Sequence, residues 1–293
     1  MKQSSGKIFR NLVATMPPLP IMGTINAYSA LLLERAGGQA LYVSGAGVAN
    51  ASYGLPDLGM TSLADVLVDV RRIREACSLP MLVDIDTGWG HAFQIARAIR
   101  LLEDAGVAAV HMEDQLGMKR CGHRPNKAIV SKEEMGDRLK AAVDARQDQD
   151  FVIMARTDAY ANEGLQGALD RAAYYIDCGA DMLFPEALTR LEEYQAFVGL
   201  GVPVLANITE FGKTPLFNRK ELHEAGVSMA LYPLSAFRAM SYAAMGVYQS
   251  ILSQETQQQW MTHMQSRDDL YDVLGYRAYE KRLDTMNQKE QGD

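Results

Sequence analysis

The amino-acid sequence predicts an α/β protein: a closed (β/α)8, TIM-type barrel with extra C-terminal helices. Three observations carry the prediction. Short apolar runs recur about eight times, each followed by a stretch with the three-and-four apolar spacing of a core-facing helix. The runs are continuous rather than alternating, as in parallel strands covered by helices. Side chains able to do acid–base or ligand chemistry gather directly after the runs, where a barrel of about 250 residues builds its active face. A doubly wound open sheet is the structural alternative.

Each element has its own signal. Residues 20–24 form a short apolar strand, and the helix at 27–36 stops on Gly37-Gly38, where glycine readily takes the left-handed turn that ends a helix. Strand 40–43 runs into Ser44-Gly45-Ala46-Gly47. Val66, Leu67, Val70 and Ile73 mark the next helix, and strand 80–83 ends on Asp84-Ile85-Asp86. Helix 93–102 leads to strand 107–112. Helix 131–145 begins at a capping box of Ser131 and Glu134 and leads to strand 151–155. Helices 165–178, 188–198 and 216–225 precede strands 182–184, 202–205 and 227–231.

Beyond residue 231 come helix 236–252, a Gln-rich break at 254–259 and a further amphipathic stretch with Trp260, Met261, Met264, Leu270, Tyr271 and Leu274. One barrel's outer ring does not need this much helix. We read residues 1–293 as a single barrel domain with a C-terminal extension over about 236–290. The extension's surplus apolar face predicts helices exchanged between subunits of a homo-oligomer, a dimer of dimers.

Composition narrows the function. The net charge of -7 and sequence pI near 5.3 argue against nucleic acid or an anionic membrane as partner. No apolar run approaches the roughly 20 residues that span a bilayer, and the first ten residues lack a signal peptide's apolar segment, so a cytoplasmic protein is expected. The three cysteines, Cys77, Cys121 and Cys178, have no disulfide or metal spacing, and Cys77 and Cys178 read as packing residues in helices.

The remaining thiol stands apart. Cys121 lies among Lys119, Arg120, His123, Arg124 and Lys127, cations that favour a thiolate and attract anionic ligands, so it can exchange a proton with a bound carboxylate compound. Lys119 and His123 are placed with it in the catalytic group. Asp84 and Asp86, two apart, leave the same face of an extended segment. With Glu113 they form an all-oxygen set suited to Mg2+, or Mn2+, rather than zinc. Tyr42, Ser44, Gly45, Ala46, Asp57, Arg156, Asp158, Glu186, Asn207, Thr209 and Arg238 follow other strand ends. Gly45-Ala46-Gly47 fails as a dinucleotide fingerprint because Asn50 occupies the third glycine position, and Gly212-Lys213-Thr214 fails as a phosphate loop because Pro215 follows.

With these residues in place the chain resembles the isocitrate lyase and phosphoenolpyruvate mutase superfamily. The likeness runs from Gly23-Thr24-Ile25-Asn26 through Lys119-Arg-Cys-Gly-His-Arg-Pro-Asn-Lys127 and Asn207-Ile-Thr-Glu-Phe211 to Arg267. Arg120 stands where the longer isocitrate lyases carry a second lysine, and the phosphonate-making mutases lack the cysteine. The resemblance implies Mg2+-dependent carbon–carbon cleavage of the tricarboxylate 2-methylisocitrate to pyruvate and succinate, with a lyase acting on isocitrate or dimethylmalate as the alternative. It implies that Cys121 protonates the succinate carbanion and that the loop carrying it closes over substrate. Ser44, Gly45, Ala46 and Arg156 would hold the pyruvate half. Gly122, His123, Glu186, Asn207, Ile208, Thr209, Arg238 and Arg267 would hold the succinyl half. Ala46 replaces a glycine, with a backbone contact expected there. The base for the substrate hydroxyl is assigned to Tyr42, with Asp57 or a metal-bound water as alternatives.

Overall fold

The apolar runs pair side by side into one parallel sheet that curls back on itself. The computed structural model describes residues 3–117, 119, 120, 122, 123 and 127–290, the last three by backbone alone. Its strands are β1 (Leu19–Gly23), β2 (Ala40–Val43), β3 (Met81–Asp84), β4 (Ala109–Glu113), β5 (Val152–Thr157), β6 (Met182–Pro185), β7 (Leu205–Asn207) and β8 (Met229–Tyr232). Hydrogen-bonded neighbours run β6-β5-β4-β3-β2-β1-β8-β7, every pair parallel. A parallel bridge between Leu183 and Val204 joins the two ends of that order and closes the barrel.

Continuous apolar strands make sense here because both faces are buried. Leu19, Ile21, Leu82, Met154 and Leu231 belong to the cluster that fills the barrel, whereas Leu41, Val83, Val110 and Ile153 join the larger cluster beneath the outer helices. The floor is a finding of the structure. A helix over Ser5–Thr15, capped by Ser4 accepting from the Lys7 amide at 3.2 Å, drives Phe9 and Val13 into the interior cluster. Arg10 clamps it, donating to the Asp150 carbonyl at 2.8 Å and pairing with Asp181 at 2.8 Å.

Among the differences from the sequence reading, two strand boundaries and one helix cap have clear physical reasons. β4 runs one residue further than predicted, which puts Glu113 in register with Arg156 of β5. β7 begins at Leu205 rather than 202, because Pro203 has no amide to donate and only its carbonyl is used, by the Leu183 amide at 2.9 Å. The capping box at Ser131 is half formed: Ser131 accepts from the Glu134 amide, but Glu134 pairs with Arg138 at 2.6 Å.

The chain divides into two compact units, Met1–Phe237 and Arg238–Asp293. The second unit carries most of helix Ser235–Gln254, a 3-10 turn Gln258–His263, and helices Arg267–Leu274 and Tyr276–Glu290. Within it the Trp260 ring packs so closely on Gly246 that a Cβ there would lie 2.2 Å from the indole. Tyr242, Leu252 and Tyr279 of this unit are 82%, 85% and 73% exposed, an unusual display for residues of that size. Among the described residues no helix is long and apolar enough to cross a membrane.

Candidate active site

The C-terminal ends of β2 to β7 carry a buried array of opposed charges. Asp84 closes β3; its Oδ1 accepts the Asp86 amide at 3.0 Å and its Oδ2 accepts the Gly45 amide at 3.1 Å. Asp86 sits at φ 49°, so the two acids converge through a tight turn and not, as the sequence reading had it, through alternation along an extended strand. They do converge: a Cβ added to Gly45 would lie 3.0 Å from Asp84 Oδ2 and 3.1 Å from Asp86 Oδ1, so the missing side chain is what lets both carboxylates approach one point.

Cations reach into this array from two sides. Lys119 pairs with Asp57 at 2.8 Å and with Asp86, so its charge is engaged by acids. Arg156, buried on β5, meets Glu113 Oε2 at 3.2 Å, Glu186 Oε2 at 3.2 Å and Asp158 Oδ2 at 3.0 Å, and its guanidinium lies 5.1 Å from the Phe184 ring centre. His123 Nε2 lies 3.2 Å from Glu186 Oε1, its Nδ1 accepts the Lys213 amide at 3.0 Å, and Asn207 donates to Glu186 at 3.3 Å. Gly122 fits only as glycine: a Cβ would stand 2.4 Å from Arg156 and 2.5 Å from Glu186. Ser44, Ile208 and Thr209 are buried at the ends of β2 and β7.

Burial and charge set the protonation states. Burial pushes Asp86 up to about 6, with Asp84 adding to the effect. Burial works against Asp84 as well, but His111, Lys119 and Arg156 outweigh it and hold that carboxyl below the usual range. Because burial holds His111 itself down to about 4, Lys119 and Arg156 are the cations that keep Asp84 ionised at neutral pH. Glu113, fully buried, is raised by burial more than Arg156 and Lys119 can offset. Glu186 is held low by Arg156, His123 and Lys127 despite its burial. Tyr42 is pushed well above 10 by burial and by Asp84, so its phenol is protonated at rest.

The donor set fits a hard divalent cation, although among the described residues no three ligating side chains are already gathered around one point. Oε1 of Glu113 has no hydrogen-bond partner among the described residues, and Glu113 Oε2 and Asp86 Oδ1 are met there by the cations Arg156 and Lys119. Three buried carboxyls, two of them pushed upward chiefly by burial, are what an oxygen-seeking ion stabilises. Such an ion would compete with Lys119 for Asp86.

The structure therefore brings together Tyr42, Ser44, Gly45, Asp57, Asp84, Asp86, Glu113, Lys119, Gly122, His123, Arg156, Glu186 and Asn207 at one rim. Cys121 lies outside the described residues. Arg238 and Arg267 belong to the second unit, at its first residue and at the start of helix Arg267–Leu274. His111 escaped the sequence reading, and Asp158 was named there at a strand end without a role. His111 is fully buried with Nε2 2.8 Å from the Tyr42 hydroxyl, and Asp158 is fully buried between Arg156 and Lys127. A histidine inside an otherwise apolar strand was the available signal for the first.

A family model described as phosphoenolpyruvate phosphomutase matches residues 9–252. The chain belongs to the phosphoenolpyruvate phosphomutase family. Its relatives in that family include 2-methylisocitrate lyase of Shewanella oneidensis, 60% identical over 287 residues, with 98% of each chain covered. Among solved structures the chain is similar to 2,3-dimethylmalate lyase, described as a PEP mutase/isocitrate lyase superfamily member, with a TM-score of 0.88, 30% identity and 96% and 95% of the two chains covered. It is also similar to phosphonopyruvate hydrolase in complex with oxalate and Mg2+, with a TM-score of 0.83, 26% identity and 95% and 98% coverage. The likeness to these structures accounts for the barrel.

Proposed function

We propose that the chain is a Mg2+-dependent carbon–carbon lyase that splits 2-methylisocitrate into pyruvate and succinate, a step of the methylcitrate cycle in propionate catabolism. The observation that carries this reading is the 60% identity to an enzyme of that name over 98% of both chains. The rim supports it: a polyanionic substrate needs fixed cations, and Arg156 offers a buried bidentate fork beside three carboxyls that suit a metal.

In this reading Asp84, Asp86 and Glu113 would hold Mg2+, an ion that the structurally similar phosphonopyruvate hydrolase was solved in complex with, together with oxalate. A cation held there would lower the cost of the alkoxide formed when the tertiary hydroxyl loses its proton. Ser44, the Gly45 amide, Ala46 and Arg156 orient that half. Gly122, His123, Glu186, Asn207, Ile208 and Thr209 orient the succinyl half, joined in our proposal by Arg238 and Arg267. Tyr42, protonated at rest, takes the proton of the tertiary hydroxyl as it passes its own to His111 Nε2, 2.8 Å away. The substrate oxygen's electrons form the carbonyl of pyruvate, the carbon–carbon pair leaves with the succinate carbon, and Cys121 supplies the proton that quenches it. Lys119 ties Asp57 to Asp86 and so links the metal set to the loop that follows β4.

The test is pyruvate release from synthetic 2-methylisocitrate with and without EDTA. Chelator-sensitive release is expected, and none in the presence of Mg2+ would overturn the reading. The likeness to 2,3-dimethylmalate lyase favours one alternative substrate, so dimethylmalate and isocitrate belong in the same panel. We also propose a cytoplasmic homo-oligomer, a dimer of dimers built on one barrel domain per chain. The exposed Tyr242, Leu252 and Tyr279 support exchange of the C-terminal helices between subunits.

A further inference from the structure

Behind the rim lies a buried ion pair that the chemistry above does not use. Lys127 Nζ and the Asp158 carboxylate stand 2.5 Å apart, with side chains 1% and 0% exposed. The pair has a partner on each side. Lys127 also donates to the Gly122 carbonyl at 2.6 Å, and its own carbonyl accepts from Asn162 at 2.9 Å. Asp158 Oδ2 accepts from Arg156 Nε at 3.0 Å, and the Asp158 amide donates to Asp114 Oδ1 at 2.8 Å. Asp114 is in turn held by Thr157 at 2.8 Å and Tyr175 at 2.9 Å. One carboxylate thus orients Arg156 on one side and, through Lys127, anchors the backbone of Gly122 on the other. Gly122 is confined between them, since a Cβ on it would meet Arg156 and Glu186 at 2.4 and 2.5 Å.

An isolated buried ion pair adds little net stability, because removing both charges from water costs about what their attraction returns. A pair whose other bonds end on a substrate-binding arginine and on the Gly122 carbonyl has a geometric use instead. We propose that Lys127 and Asp158 are positioning residues that fix the Gly122 carbonyl, and with it the proton donor at the preceding residue, in register with Arg156. This rests on the reading of Cys121 as the acid and adds to it the part of the scaffold that aims it. Proton transfer is sensitive to placement, and a misplacement of about 1 Å can cost on the order of a hundredfold in rate.

The experiment compares the full-length protein with Lys127→Met, Lys127→Arg and the double variant Lys127→Met/Asp158→Asn, which leaves no unpaired buried charge. In folded Lys127→Met we expect kcat to fall about ten- to a hundredfold with KM changed less than about threefold, and Lys127→Arg to recover most of the loss. Should Lys127→Met not fold, the double variant carries the same expectation. Hydrogen–deuterium exchange over residues 119–127 decides the positional claim independently of turnover: exchange should quicken about tenfold there and not in the barrel strands. Unchanged kcat and exchange in a folded variant, an equal loss in Lys127→Arg, or failure of every variant to fold would each overturn the proposal. If instead the unaltered protein releases no pyruvate, the functional reading fails, and the exchange measurement still decides whether the pair holds this carbonyl.

Discussion

The hydroxyl of Tyr42 lies 2.8 Å from Nε2 of His111, and both side chains are buried beneath the rim. The two rings also stack, with centroids 5.7 Å apart. A phenol held well above its usual range can accept the substrate's proton only by passing on its own, and His111 is the described nitrogen within reach. Tyr42→Phe should therefore lower kcat by about 10²- to 10⁴-fold with little effect on KM. Activity within threefold of normal would move the base to Asp57.

The same histidine makes the fold sensitive to acid. Burial depresses His111 from 6.5 to about 4, so the unfolded chain binds a proton that the folded one refuses between those values. Stability conferred by the neutral ring is full above about pH 6.5 and is lost as pH falls toward 4, by up to roughly 3 kcal/mol. Denaturant titrations of the unaltered protein and of His111→Gln should show their stability difference shifting by that amount across the window. A difference constant from pH 7 to 4 would contradict it.

Cys121→Ser should cost on the order of a thousandfold or more in kcat, since a hydroxyl is several pKa units weaker as an acid than a thiol. Steady-state pyruvate release measures this directly. An active serine variant would remove the thiol from the mechanism.

Metal binding should be opposed by acid through Asp86. That carboxyl is raised to about 6, and a ligand must lose its proton before it can bind a cation. Mg2+ affinity, read by calorimetry or by the rise in Tm with added Mg2+, should be steady above pH 7 and weaken by up to about tenfold per unit below 6. EDTA should abolish turnover, and Asp86→Asn should remove most of the affinity and the part of the acid dependence that Asp86 contributes, leaving that of Glu113.

Gly122→Ala inserts a methyl where Arg156 and Glu186 already stand at 2.4 and 2.5 Å. We expect at least a tenfold drop in kcat/KM and about 1–3 kcal/mol of lost stability, the usual penalty of overpacking. Normal kinetics would show that the peptide has room the structure does not display.

The barrel was legible because its strands are buried on both faces and so read as unbroken apolar runs. The floor was not: Phe9 and Val13 repeat over too short a span to announce a helix without knowing what they cover. Pro203 moved β7 toward the residues that matter, placing Asn207 inside the strand. The rim acids were found in sequence, but their convergence came from the turn at Asp86, which depends on a backbone angle. His111 was passed over, and Asp158 was named without a role, because their importance lies in what they touch across 69 and 31 residues of chain. Arg238 and Arg267 remain assigned by resemblance alone.

The helix over Ser5–Thr15 has a consequence for traffic. With Phe9 and Val13 driven into the base of a barrel whose interior is packed with side chains, the described residues leave no passage through the axis. Substrate in and both fragments out must share the mouth at the strands' far end, so the two products leave one behind the other, and whichever sits deeper sets the pace of turnover once the chemistry is fast.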